Sequence, residues 1–252
     1  MFDELVPGTV LLLHAGIADR TMWQPQIGPL EAAGYSVLAP DLLGFGTRPL
    51  GPGPFSNLQD VVQMLDGPVS VVGSSLGGRV ALELAVERPD VVERLVVIAP
   101  GLPGWDWSED VRATWVAEES AFERGDFEAA SEAVLRLWID GPRRSPGDVD
   151  PHFREAVRAM TIQSYEMQRD AGDAVEEPPP GGSVGGRLGE VRAPTLVLVG
   201  DEDVPDMQAI AAHVAASIDG ARLETIHGAS HLPSLERPPE TNELILPFLD
   251  GR

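Results

Sequence analysis

Two spacings of apolar residues alternate along this chain. Short runs rich in valine and leucine occur at 9–16 (TVLLLHAG), 36–41 (SVLAPD), 68–72 (PVSVV), 91–100 (VVERLVVIAP), 194–203 (PTLVLVGDED) and 221–228 (ARLETIHG). Runs of this length and β-branched content predict strands, most of them buried on both faces. Between them the spacing changes to that of amphipathic helices. Residues 23–33 carry Trp23, Ile27 and Leu30 on one face and stop at Gly34; 57–66 form a short helix; and the segment up to Pro89 places Ala81, Leu82, Ala85 and Val86 together. Two further helices are predicted around 206–217 and 239–250.

Strands that alternate with helices of about ten to fifteen residues imply βαβ units and a parallel sheet covered on both sides, an α/β fold. From Gly104 the alternation is interrupted. Residues 108–140 and 151–170 keep helical spacing with no strand between them, and EEPPPGGSVGG at 176–186 reads as a linker. The expected organisation is one core made of 1–103 and 187–252, with a helical cap and linker inserted at 104–186. No internal repeat is visible.

Composition narrows the chemistry. A length of 252 residues suffices for one large core. The formal charge of −22 opposes the approach of polyphosphates and anionic lipid, so neither nucleic acid nor a membrane is an expected partner. All 18 basic residues are arginine. The absence of cysteine excludes disulfides, thiolate metal sites and a cysteine nucleophile. No basic leader precedes the first apolar run, which is too short to span a bilayer, and the expected location is the cytoplasm.

Gly73-Ser74-Ser75-Leu76-Gly77 is a G-x-S-x-G motif lying after a buried strand and before a regular helix. The bare motif is a weak signal; its strand-turn-helix context is the specific part. A sharp turn there forces the serine into a strained conformation and requires small neighbours. Ser75 has the correct flanks and Ser74 does not. The amide of Leu76, at the start of the following helix, is placed to face an anion, and Gly16, at the end of the first strand, is the best second donor for an oxyanion hole. His14 beside it reads as a structural histidine pinning the loop.

A serine hydroxyl needs a neutral imidazole to take its proton. Of five histidines, His231 in HGASHLPSLERP follows a strand and precedes the last helix, on the side of the sheet where ligand sites gather. His227 reads as part of the preceding strand, His213 as mid-helix and His152 as part of the cap. An imidazole that cycles through a positive charge needs a carboxylate. LVLVGDEDVPD offers Asp201, Glu202, Asp203 and Asp206, and Asp203 is favoured because the loop must reach past its strand towards the next unit.

With HAG, DLLGFG, GSSLGG, GDED and GASH in this order, the chain resembles the α/β-hydrolase superfamily over nearly its full length. The MWQPQ helix, the short cap and the HLPSLERP tail are similar to the 3-oxoadipate enol-lactonase-like and carbon-carbon-bond hydrolase branch. The resemblance implies an eight-stranded, mostly parallel sheet with no metal and no cofactor. Two positions depart from it. The family's usual hairpin ahead of the first strand has no counterpart here, so its first two strands are missing or the chain start is unusual, which makes 36–41 a sheet edge. Ala15 stands where glycine is usual, adding a methyl near the oxyanion loop.

Of the cap aromatics, Trp138, together with Met160 and Tyr165, is expected to line the pocket, the others being helical packing. Arg20, Arg48 and Arg79 lie near its mouth and read as ion-paired surface groups rather than substrate clamps. The expected partner is a small-molecule acyl substrate, an ester, lactone or β-diketone; a homodimer is the one assembly entertained. Two alternatives keep the fold: a cofactor-free perhydrolase of haloperoxidase type, and a non-catalytic ligand-binding protein.

Overall fold

The computed structural model describes residues 8–169, 171–172 and 174–251. Its strands are β1 (Thr9–Leu13), β2 (Ser36–Leu38), β3 (Pro54–Phe55), β4 (Val69–Ser74), β5 (Val92–Ile98), β6 (Val175–Glu176), β7 (Thr195–Gly200) and β8 (Arg222–Ile226). The α-helices are α1 (Gln24–Ala32), α2 (Asn57–Gln63), α3 (Leu76–Glu87), α4 (Glu109–Glu123), α5 (Phe127–Val134), α6 (Pro151–Arg169), α7 (Pro205–Ser217), α8 (Pro233–Glu236) and α9 (Pro238–Leu249).

Six strands form one sheet in the order β2-β1-β4-β5-β7-β8, with every ladder parallel. Alternating side chains feed two separate cores. Leu11, Leu13, Val71, Val97 and Val197 pack on one face, and Val10, Leu12, Val72, Val96 and Leu198 on the other. This explains the unbroken apolar runs: an interior parallel strand has no wet face. β2 and β8 are the edges, and both are mostly exposed or half-buried, as the sequence suggested for the 36–41 segment.

From β1 the chain winds outward to β2, then returns past β1 to β4 and continues through β5, β7 and β8. The reversal opens a crevice beyond the carboxyl ends of β1 and β4, where open α/β sheets bind their ligands. Gly16 and Ser75 follow these two strand ends. The excursion between β5 and β7 is helical, as expected, but its 108–140 stretch divides at Gly125, whose φ of 71° ends α4, and α5 restarts on Asp126, which accepts the Ala129 amide. Leu135–Asp140 then coil as a π-helix.

Three expectations need correction. The main sheet has six strands rather than eight among the described residues; residues 1–7 lie outside them. The 176–186 stretch is not a plain linker, because Val175–Glu176 pairs in parallel with Pro54–Phe55 and Val184 is buried in the core. The last helix stands where it was expected, as α9, with the short α8 just ahead of it across Arg237; prolines open both. His227 follows β8 instead of lying in it, with its ring exposed. Among the described residues no helix is long and apolar enough to cross a membrane.

Candidate active site

Ser75 sits between β4 and α3 with φ 50° and ψ −108°, in a region few non-glycine residues occupy. Such strain costs about 1–3 kcal/mol and persists only where the surroundings hold it. Here the Ser75 amide donates to the Ile98 carbonyl at 2.9 Å, and its carbonyl accepts from Arg79 at 2.9 Å and Gly101 at 3.0 Å. Both flanking glycines are sterically required. A Cβ on Gly73 would stand 2.3 Å from the Gly77 carbonyl oxygen, and one on Gly77 would stand 2.2 Å from that of Leu13. Ser74 is fully buried with its hydroxyl unpartnered and does not line the cavity.

The loops after β7 and β8 are pressed together. A Cβ on Gly200 would lie 2.1 Å from the Ala229 carbonyl oxygen, and the Glu202 amide donates to that same oxygen at 2.9 Å. This approach carries Asp203 and His231 into contact. Asp203 is wholly buried; its Oδ1 accepts the Val204 amide at 2.8 Å and its Oδ2 lies 2.9 Å from His231 Nδ1. Because an ionised carboxylate only accepts, the ring proton belongs on Nδ1, leaving Nε2 to accept from the Ser75 hydroxyl 2.9 Å away. The three residues singled out from sequence therefore form one hydrogen-bonded chain.

The other acids of that loop are occupied elsewhere. Asp201 meets the His227 ring at 2.8 Å and accepts the Gly228 amide at 2.7 Å. Partial burial opposes its ionisation, but these hydrogen bonds outweigh that and hold its carboxyl below the usual range. Glu202 pairs with Arg143, and Asp206 accepts the Ser108 amide at 2.8 Å.

Leu76 opens α3, so its amide lies ahead of the helical ladder. Gly16 is its close neighbour: a Cβ there would sit 3.5 Å from the Leu76 Cβ. His14 fixes this wall. Its Nδ1 donates to the Ala15 carbonyl at 2.8 Å and its Nε2 accepts the Leu42 amide at 2.9 Å, and burial holds the ring below its usual pKa, hence neutral. The structural role read for His14 stands on these bonds. The Ala15 methyl is buried in the core with Met22 and Trp23, so it does not crowd the crevice.

A cavity of about 390 Å³ opens above Ser75 and His231, with Gly16 and Leu76 on one side. Trp138 lines it as expected; its ring lies 4.5 Å from that of His231, and its carbonyl accepts the His231 amide at 3.1 Å. Met160 and Tyr165 are corrections. Met160 packs in the core and its sulfur accepts from the Thr21 hydroxyl at 3.5 Å; Tyr165 clusters with Phe122 and Phe127, one layer behind the wall. The residues overlooked include Trp107, Trp115 and Glu118. The i, i+3 spacing of Trp115 and Glu118 on α4 was the available signal.

Arg79 also lines the cavity, but its guanidinium is committed to Glu83 at 2.8 Å and Glu176 at 2.7 Å. Burial disfavours its charge, and the two carboxylates more than restore it. Arg20 pairs with Asp41 at 3.7 Å, and Arg48 grips Asp60 with two nitrogens. The ion-pairing reading of all three arginines holds, although Arg79 is more enclosed than a surface group.

The chain has relatives among known proteins. A sequence profile described as "Alpha/beta hydrolase family" matches residues 10–244. The chain is 25% identical over 247 residues to a pimeloyl-[acyl-carrier protein] methyl ester esterase of Neisseria meningitidis serogroup B / serotype 15, covering 96% of this chain and 93% of the esterase. It is 26% identical over 253 residues to a 2-hydroxy-6-oxononadienedioate/2-hydroxy-6-oxononatrienedioate hydrolase of Cupriavidus pinatubonensis, covering 96% and 86%. Among solved structures, the enol-lactonase from Burkholderia xenovorans LB400 superposes with a TM-score of 0.76 at 22% identity, over 99% of this chain and 94% of that one, a likeness of fold.

Proposed function

The chain belongs to the alpha/beta hydrolase family, hydrolytic enzymes, and on that footing we propose that it is a serine hydrolase of small acyl substrates working through Ser75, His231 and Asp203. The observation that carries this reading is the unbroken relay of 2.9 Å contacts from the buried Asp203 through His231 to Ser75. Relatives named as a methyl ester esterase and a dioate hydrolase support a carbonyl centre as the point of attack.

The chemistry follows from the geometry. As Ser75 Oγ bonds to the substrate carbonyl carbon, its proton passes to His231 Nε2, and Asp203 stabilises the resulting imidazolium. The carbonyl oxygen gathers negative charge and is met by the amides of Leu76 and Gly16, with the first turn of α3 adding its dipole. His231 then returns the proton to the departing group, leaving an acyl-serine that water attacks by the same steps reversed. The helical excursion serves as a cap that contributes Trp107, Trp115 and Trp138 to the cavity wall.

A fluorophosphonate probe tests the reading, since it labels only an activated serine. Labelling of the wild type that disappears in Ser75→Ala is expected, with turnover of p-nitrophenyl esters falling by about 10⁶. Labelling that persists in Ser75→Ala, or a wild type that never labels, defeats it.

A further inference from the structure

Among the described residues lining the cavity, the charged side chains are Arg79 and Glu118. Arg79 carries two carboxylates of its own, so it offers an incoming anion no net positive field. Glu118 is the opposite case. Its Oε1 accepts the Tyr165 hydroxyl at 2.7 Å, and no basic side chain among the described residues pairs with it. Burial pushes its carboxyl above the usual range, a penalty that a cation beside it would relieve.

Three indoles share the cavity with this carboxylate. Trp107 stands edge-on to Trp115 at 5.2 Å and 70°, and edge-on to Trp138 at 6.2 Å and 85°, so the rings form corners rather than a stack. Aromatic faces at such angles attract ammonium groups through the ring quadrupole, and an acid among them adds charge attraction. Trp115 and Glu118 also border a neighbouring groove together with Glu119 and Gln168, which extends the acidic lining outward. The chain's charge of −22 adds a long-range pull on cations.

We propose that Trp107, Trp115, Trp138 and Glu118 form a subsite for a positively charged group, and that the substrates are esters bearing a quaternary ammonium or protonated amine. The assignment rests on the serine-hydrolase reading and specifies its substrate class. The carbonyl sits at Ser75 while the cationic end lies against the indoles, with Glu118 compensating its charge. A carboxylate-terminated substrate of the same shape would meet Glu118 with like charge and find Arg79 already neutralised.

Three p-nitrophenyl esters of equal chain length, ending in trimethylammonium, tert-butyl or carboxylate, separate the possibilities. The wild type should show kcat/KM about tenfold higher for the ammonium ester than for the tert-butyl ester, and lower still for the carboxylate ester. Glu118→Gln, which can still accept from Tyr165, should shrink the ammonium to tert-butyl ratio several-fold, and so should Trp115→Ala at a position 37% exposed. Tetramethylammonium should quench tryptophan fluorescence of Ser75→Ala, and less so when Glu118→Gln is added. A wild-type ratio of one or below, or a ratio that neither substitution moves, overturns the subsite alone. No hydrolysis of any of the three, or hydrolysis that survives in Ser75→Ala, overturns the serine-hydrolase reading and the subsite with it.

Discussion

Gly200 and Ala229 lie so close that a Cβ at 200 would be 2.1 Å from the Ala229 carbonyl oxygen. The strand end that delivers the acid and the loop that delivers the base are thus fitted to each other backbone to backbone. Gly200→Ala should separate them. We expect a stability loss of about 1–3 kcal/mol, measured by urea denaturation. Turnover should fall by about 10²-fold as His231 is displaced. A variant as active and as stable as the wild type would show that the contact does not set the geometry.

Asp203→Asn keeps the side chain's shape and replaces an acceptor-only group with one that can donate towards Nδ1. The ring then favours the tautomer with its proton on Nε2, which cannot accept from Ser75. We expect kcat to drop by about 10³–10⁴ with KM little altered, in steady-state assays of a p-nitrophenyl ester. An undiminished rate would move the acid's role to Asp201, 2.8 Å from His227.

Trp138 touches His231 through both ring and backbone, and the two contacts can be separated. Trp138→Phe retains the carbonyl bond and part of the ring contact, so kcat should fall three- to tenfold, about the value of one aromatic pair. Trp138→Ala should cost about 3–5 kcal/mol of stability in addition. Thermal melts beside the kinetics distinguish the two losses.

Glu132 ties α5 to α6 through Arg154 at 2.8 Å and also pairs with Arg158. Hydrogen bonding from Arg154, followed by that from Arg158, holds its carboxyl below the usual range. A depressed carboxylate stabilises the fold above its unfolded pKa of about 4.3, and that contribution disappears as pH falls through the lower folded value. Glu132→Gln should therefore melt below the wild type at neutral pH, and the gap should close in acid. A gap independent of pH would assign the loss to packing.

The fold and the relay were legible because their signals are local. An apolar run, a glycine pair that two backbone carbonyls require, and acids just past a strand end can each be found within about ten residues. The cavity wall was less legible. Tyr165 and Met160 lie on the buried side of α6, yet one packs with Phe122 and Phe127 and the other with Thr21, and only the docking of α4 against α5 and α6 decides which side meets the crevice. Glu118 reads in sequence as one more solvated helix acid. What distinguishes it is Tyr165, a partner 47 positions away.

The π-helical turn at Leu135–Asp140 has a consequence for how substrate enters. Its Trp138 carbonyl is bonded to the amide of the base itself. Swinging this part of the roof aside would pull the imidazole out of line with the nucleophile. The α4 flank, with Trp115 and the solvent-facing Val116, makes no hydrogen bond to the relay among the described residues, so a shift there would leave the imidazole in line.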